Sequence, residues 1–545
     1  MKPWVRSSVV LAMALIAIGI VGTGVTADGE QKLFLPVVLR EVSRSVGAPQ
    51  LKWQMGGCYS GQWCETGWYA SPAVDDVDLD GRMEIVAGSY SVVILDGETG
   101  SLEGLRMGGD SGRVWPGVVV ADFVGGPQKE ILFAESQKVQ LYDWHGFPIW
   151  QSSLLNTQWE YRSLAVANLD GQSGLEVLVA STKSDQQWQV WRGEDGSSYP
   201  GNWPQHGPDG SVNGYAAGCY NQNVAAADLD GDGRGEIVGP SDVHYITAYE
   251  DDGTQLRTHL RYGTNPDGSL KYWSRVGVHV DDAVDVRGYA DCGVEHRPNF
   301  AHSAPVLADL DGNGQREIVV IGDVYNCDTY QSLYQIPFVF NRDRTRWAFS
   351  GFSWVTLPAA QADMAPLSQD WQVIEMSVPD PVVADLDGDG YAEILYAGYD
   401  GKLHAFWLDK TEHGFWPYAV YDSEQVFYRF ASAPVVADLE NDGSAEVIFT
   451  SWTQKNSGQT GKLHILRADG SVLFEVDLPG HYSTTQFWDG ALASPTLANV
   501  DMDADLEVVI QSAHSGVLVY DLPNTASARI LWGTGRANFL RSGAP

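Results

Sequence analysis

The stretch Asp385-Leu386-Asp387-Gly388-Asp389-Gly390-Tyr391-Ala392-Glu393 places carboxylates at relative positions 1, 3, 5 and 9. Acids on alternate residues around a turn bring several hard oxygens to one point, which is what a calcium ion requires. Gly388 and Gly390 supply the backbone freedom for such a curl. Apolar runs flank the stretch, Pro381-Val382-Val383-Ala384 before it and Ile394-Leu395 after it. These read as β-strands. The unit is therefore strand, acid loop, strand, whereas an EF-hand would carry helices on both sides.

The same pattern occurs eight times. The first loop has Asp76, Asp78, Asp80 and Glu84; the fourth has Asp228, Asp230, Asp232 and Glu236; the fifth has Asp309, Asp311, Asn313 and Glu317. The loop at 385–393 is the sixth. The seventh has Asp438, Glu440, Asp442 and Glu446, and the eighth Asn499, Asp501, Asp503 and Glu507. Calcium is expected in these six, with a structural role, because crowded carboxylates repel one another until a cation offsets them in the folded state. The second loop keeps Asp122 and Glu130 but has Val124 and Gly126 between them, so it is expected to stay empty. The third, with Asn168, Asp170, Gln172 and Glu176, is a weak ligand set. Asp-Gly turns also occur in β-proteins without any metal. Four oxygen ligands at one spacing are what favour calcium in the first, fourth, fifth and sixth copies.

The elements that position these loops follow from the repeat. Copies start at residues 76, 122, 168, 228, 309, 385, 438 and 499, roughly 45 to 80 residues apart, which suits a four-stranded unit with insertions. After each loop comes an apolar strand, a turn and another strand, as in Lys402-Leu403-His404-Ala405-Phe406-Trp407. Acid-glycine hairpin signals follow at Asp195-Gly196, Asp252-Gly253 and Asp469-Gly470. No segment carries sustained helical periodicity. The expected fold is an all-β, eight-bladed β-propeller with calcium-binding loops between the first and second strands of most blades. Seven blades is the alternative, if the first or last copy is an appended hairpin.

The repeat resembles the FG-GAP/VCBS family, the calcium-loop propeller repeats of integrin α-subunits and many secreted bacterial proteins. The Asp-Leu-Asp-Gly-Asp-Gly form at 228–233 and 385–390 carries the resemblance, which covers roughly residues 53–541. Ile530-Leu531-Trp532, followed by Asn538 and Arg541-Ser542-Gly543, is similar to the last strand of such arrays. The resemblance implies the fold and calcium but no single activity, since enzymes, adhesins and receptors all use it.

Composition bounds the partners. Seventy acids against 34 bases give a net charge of −36, which argues against nucleic acid and anionic membrane surfaces. Lys2 and Arg6, the apolar run Val9 to Val21 and Val25-Thr26-Ala27 read as a secretory signal over residues 1–27. An uncleaved anchor is the alternative there. No later stretch is long or apolar enough to span a bilayer. Residues 28–50 read as a linker and 51–545 as the propeller. The mature chain is expected to be a monomer, secreted or at the cell surface. Of five cysteines, Cys58 and Cys64 bracket a short loop and are expected to pair. Cys292–Cys327 is the preferred second bridge, leaving Cys219 free, although the sequence does not decide among these three.

Chain direction adds a second face. If the acid loop ends each first strand, the connection entering that strand lies opposite. Those connections hold the large insertions near 261–302 and 351–379, all five cysteines and many aromatics. Trp68, Trp115, Trp159, Trp371 and Trp488 are the candidate ligand-binding residues there, with rings expected around the channel mouth. Exposed aromatics on an exported acidic protein suit sugar rings or a partner protein; the competing reading is that they plug the channel or pack between blades. Catalytic signals are poor: no His-Glu-x-x-His and no Gly-x-Ser-x-Gly occurs. His296, His302, Arg297 and Asp291 form the one dense polar cluster in an insertion. The sequence thus points to a binding or adhesion module for extracellular carbohydrate or protein. The alternatives are a polysaccharide-active enzyme of the rhamnogalacturonan-lyase type and a purely architectural surface component.

Overall fold

Each repeat becomes one antiparallel sheet, and the register beside the acid loop is the same in all eight. The residue before position 1 pairs with the glutamate at position 9: Asp75 with Glu84, Ala121 with Glu130, Ala167 with Glu176 and Ala227 with Glu236. The later blades repeat it with Ala308 and Glu317, Ala384 and Glu393, Ala437 and Glu446, and Ala498 and Glu507. The computed structural model describes residues 45–545 except 56–69, 89, 110–111, 156–159, 182–187, 206–223, 241–243, 301–302, 327–333, 361–363, 369–379 and 482–488.

The eight sheets form the blades of a β-propeller. Blade one runs Ala73–Asp75, Glu84–Gly88, Val92–Asp96 and Leu102–Met107; blade two runs Val119–Ala121, Glu130–Glu135, Lys138–Tyr142 and Pro148–Gln151. Among the described residues, blades three (Tyr161–Ala167, Glu176–Ser181, Trp188–Arg192) and four (Ala225–Ala227, Glu236–Pro240, Ile246–Tyr249) have three strands each, with isolated bridges at their outer edges. Blade five has Val306–Ala308, a long second strand Glu317–Asn326 and Tyr334–Phe340. The far half of that second strand also pairs with His296–Asn299 from the preceding insertion. Blade six is Val382–Ala384, Glu393–Ala397, Lys402–Phe406 and Tyr418–Ala419, and blade seven Val435–Asp438, Glu446–Thr453, Lys462–Arg467 and Val472–Asp477.

Burial explains the composition of these strands. Second strands are sandwiched between neighbouring blades and are buried throughout, as in Glu84–Gly88, Glu130–Glu135 and Glu393–Ala397. They therefore read as continuous apolar runs. Outer strands such as Leu102–Met107 and Val472–Asp477 are largely exposed and carry charge. The cores lie between blades: Val86 and Ile94 of blade one pack with Val120, Ile131 and Phe133 of blade two.

Closure uses both ends of the chain. Blade eight consists of Thr496–Ala498, Leu506–Gln511 and Val517–Leu522, and its outermost strand is Gln50–Met55 from the N-terminal side. The expected C-terminal closing strand, Arg529–Trp532, lies elsewhere: it pairs with the innermost strand of blade seven, Val436 facing Trp532. The tail beyond it then crosses the inner strands. Gly533 O accepts from Leu497 N, Leu540 O from Val166 N, Ser542 O from Ala226 N and Gly543 O from Leu307 N, all at 2.8–2.9 Å. The Arg541 guanidinium, fully buried, donates to Ser71 O, Pro72 O and Val118 O as well as to Thr534 Oγ1 and Gly535 O. Arg536 likewise donates to Val224 O and Pro305 O. One short tail thus ties five carbonyls of blades one, two, four and five to buried cations.

The insertion before blade five contributes a short α-helix, Asp282–Arg287, capped by the Asp281 side chain and ended by Gly288 at φ 88°. Among the described residues no helix is long and apolar enough to cross a membrane.

Candidate metal centres

The acid loops are wired by their own side chains before any ion is considered. In all eight, Oε2 of the position-9 glutamate accepts from the backbone N–H of position 2. The distances run from 2.6 Å (Leu229 to Glu236) and 2.7 Å (Leu386 to Glu393, Phe123 to Glu130) to 3.0 Å (Leu310 to Glu317). Val77, Leu169, Leu439 and Val500 donate in the same way to Glu84, Glu176, Glu446 and Glu507. A buried N–H at the base of a loop needs an acceptor, and this glutamate provides it even in the second copy, which lacks the middle acids. The position-9 glutamate is thus a clasp first. The position-1 carboxylate accepts from the position-6 N–H, as from Gly390 to Asp385 and Gly314 to Asp309. Position 5 accepts from the N–H of position 7, as from Tyr391 to Asp389 and Gln315 to Asn313. These turns need left-handed backbone, which Gly388 (φ 77°) and Gly390 (φ 89°) adopt freely, while Leu79 adopts it at φ 65° against its side chain.

Three carboxylates converge where the acids are complete. Asp76, Asp78 and Glu84 bring one oxygen each within 4.8 Å of one another; so do Asp228, Asp230 and Glu236, Asp309, Asp311 and Glu317, Asp385, Asp387 and Glu393, and Asp501, Asp503 and Glu507. The predicted position-5 ligands Asp80, Asp232 and Asp389 are not part of these five groups, and Asn499 turns its Nδ2 to Asp503 O. Asp76 Oδ1, Asp311 Oδ2 and Glu393 Oε1 are buried with no hydrogen-bond partner. Burial pushes Glu84 and Glu317 up to about 7 and Glu393 up to about 9; the nearby aspartates add to each rise, and the backbone hydrogen bond partly offsets it. Orphaned, desolvated carboxylate oxygens in an all-oxygen cluster fit a hard divalent cation.

The remaining clusters are neutralised from within, and this the sequence did not reveal. At the fourth loop, Arg342 Nη2 lies 2.9 Å from Asp230, 3.1 Å from Glu236 and 3.0 Å from Glu250. At the eighth, Lys52 Nζ reaches Asp501 and lies 3.1 Å from Glu507. At the seventh, Arg529 lies 3.1 Å from Asp438, and Glu440 is used to accept the Val46 N–H. The third loop is closed by Asn168, which accepts from Gly171 N and donates to Gln172 O. A protein cation already occupies the charge-balancing position in three of the six loops expected to take calcium.

The other predicted residues are mostly elsewhere. Trp68, Trp159, Trp371 and Trp488 lie outside the described residues, as do Cys58, Cys64, Cys219, Cys327 and His302. Trp115 does not offer an open ring: it is 9% exposed, with the guanidinium groups of Arg162 and Arg113 4.4 and 5.2 Å from its ring centroid. Cys292 is disulfide-bonded. His296 sits in the strand beside blade five with its ring near Tyr334.

A denser polar cluster than the predicted one lies under the insertion. His279 Nδ1 meets Asp285 Oδ1 at 2.9 Å, and Asp285 Oδ2 meets Arg344 at 2.9 Å and Arg346 at 3.1 Å. All four side chains are at most 3% exposed. Although burial opposes it, the two guanidinium groups hold the Asp285 carboxyl far below the usual range. Arg344 also donates to Gly277 O and Arg346 to His279 O, so the network fastens the insertion to blade five. The residues concerned are separated by about sixty positions, which is why no motif announced them.

Together these features define a class: an eight-bladed β-propeller with an acid loop between the first two strands of every blade. The chain carries repeats of the FG-GAP type, the FG-GAP-like repeat family matching residues 385–449. Among curated proteins none matches significantly. Solved structures with a similar fold include BamB from Moraxella catarrhalis (15% identity, 83% of this chain and 97% of that one, TM-score 0.42). Others are the V. cholerae biofilm matrix protein Bap1 (14%, 91% and 96%, 0.38) and the rhamnogalacturonan lyase YesW (14%, 91% and 80%, 0.46). Likeness at this level concerns the fold alone.

Proposed function

We propose that this chain is an exported, calcium-stabilised propeller that acts as a binding module for extracellular carbohydrate or a surface protein. The observation that carries the calcium part is the set of buried, unpartnered oxygens Asp76 Oδ1, Asp311 Oδ2 and Glu393 Oε1. The first, fifth and sixth loops would hold the ion, through Asp76, Asp78 and Glu84, Asp309, Asp311 and Glu317, and Asp385, Asp387 and Glu393. Bound there, calcium supplies positive charge that offsets carboxylate repulsion in the folded chain only.

Binding is favoured over catalysis by the state of the acid–base groups. The His279–Asp285–Arg344 network is closed to solvent, and its Arg344 pairs with Asp285 and donates to Gly277 O, which makes it an anchor. What it anchors is an insertion whose Tyr289 and Val294 are 65% and 74% exposed. Loops held rigidly on a scaffold are where recognition resides. The test is a glycan array probed with the mature chain in calcium and in chelator, alongside thermal melting in both. A lower melting temperature in chelator and retention of at least one glycan are expected. An unchanged melting curve would sink the calcium reading, and an array without a single hit would sink the carbohydrate reading.

A further inference from the structure

In a chain of net charge −36, one groove gathers cations. It lies on the outer edge of blade four, where Gln255 bridges to Tyr249 of the third strand and the chain folds back so that Arg257 faces Tyr272. The groove has a volume of about 540 Å3. Arg257, Lys271 and Arg275 line it together with Tyr272, Ser269 and a single carboxylate, Asp267.

The three cations differ in how they are held. The Arg257 guanidinium lies 3.8 Å from the Tyr272 ring centroid and donates to Leu270 O at 2.6 Å, so it is locked in place. Among the described residues, neither Lys271 Nζ nor the Arg275 guanidinium has an acceptor within the chain. The one acid is already engaged, Asp267 Oδ1 accepting from Ser269 N at 2.9 Å and Ser269 Oγ at 2.7 Å. At the acid loops, by contrast, Arg342 and Lys52 are paired with carboxylates. Here two are left pointing into a concave surface beside a pinned third.

We infer that this groove is an anion-binding subsite for an acidic sugar chain, taking a uronate carboxylate or a sulfate ester between Lys271 and Arg275. The inference rests on the carbohydrate reading above. Arg257 and Tyr272 form a flat cation–aromatic wall against which a sugar ring lies. Apart from Pro266 and the Tyr272 ring the lining is polar, so a peptide would find no apolar anchor of the kind that dominates protein interfaces. Long-range repulsion between a polyanion and the acidic chain is screened beyond about 8 Å at physiological ionic strength, whereas contacts inside the groove are shorter than that. A charge-assisted pair survives there.

The test is calorimetric titration of the mature chain with tetragalacturonate, a sulfated tetrasaccharide and neutral cellotetraose, using the wild type and K271A/R275A. Both side chains lack partners, so the variant should melt at the wild-type temperature; K271E serves as a second variant. The expected result is binding of an acidic tetrasaccharide that weakens about tenfold or more in both variants, with cellotetraose unaffected. Which acidic probe binds distinguishes carboxylate from sulfate. Equal affinity of wild type and variants for the acidic probes would overturn the groove. Binding of cellotetraose alone, or of no probe, would also overturn it, while the carbohydrate reading stands or falls on the glycan array.

Discussion

Replacing Glu393 by Gln separates the clasp from the cation site. The glutamate uses Oε2 to accept the Leu386 N–H at 2.7 Å and leaves Oε1 buried and unpartnered. A glutamine keeps the first bond through its carbonyl and turns an amide toward the site. Burial, with Asp387, Asp385 and Asp389 close by, raises this carboxyl from 4.5 to about 9. A carboxyl raised on folding favours the folded state least when ionised: its penalty is absent below pH 4.5 and grows as pH rises, until it levels off near 9. At pH 7, with about 1.4 kcal/mol per unit, the penalty is about 3 kcal/mol in the absence of a cation. In chelator at pH 7 the E393Q chain is therefore expected to be more stable than wild type by about that amount, with the difference vanishing near pH 4.5. In calcium at about a hundred times its Kd, wild type regains about 2.7 kcal/mol from this site and the variant does not. Urea denaturation followed by tryptophan fluorescence, in chelator and in calcium from pH 4.5 to 8, measures both quantities. If E393Q is less stable than wild type in chelator, or responds to calcium as wild type does, the reasoning about this loop is wrong.

Three further outcomes are expected. Arg342→Met leaves Asp230, Glu236 and Glu250 facing one another, so the chain should lose about 2 kcal/mol in chelator and acquire an additional calcium response in calorimetry; an unchanged calcium stoichiometry counts against the internal-cation reading. Arg541→Met removes the donor for four backbone carbonyls and one hydroxyl. At about 1 kcal/mol per orphaned group, less the relief of a buried charge, it should cost about 2–3 kcal/mol in urea denaturation, and a stability equal to wild type refutes the tail's closing role. His404 is opposed by burial as an imidazolium but held by Asp400 and Glu412, which raise it from 6.5 to about 9. Its stabilisation should be full below pH 6.5 and lost as pH rises through about 9; a H404Q chain with the same pH profile over that range would show that the network does not matter.

Local spacing made the acid loops, their flanking strands and the count of eight legible before any coordinates. The register is local too: a nine-residue loop between two short strands admits one pairing that buries both apolar runs, and Asp75 facing Glu84 or Ala384 facing Glu393 follows from it. The second strands announced themselves as apolar runs because both their faces are covered.

The rest depends on residues that meet only after the ring closes. Nothing near Lys52 or Arg342 in the chain indicates that each enters an acid loop far away, so the fourth loop looked identical in kind to the sixth, and calcium was expected in the eighth as well. The outer strand of blade eight comes from Gln50–Met55, whose sequence resembles any amphipathic strand, and its partner Val517–Leu522 lies at the other end of the chain. Trp115 looked like its neighbours in the loop list until Arg113 and Arg162 covered it. Residue spacing determined the repeat, because a turn and its hydrogen bonds are settled within nine residues. Closure, charge balance and exposure were decided only by tertiary structure, because each depends on groups brought from distant parts of the chain to within a few ångströms.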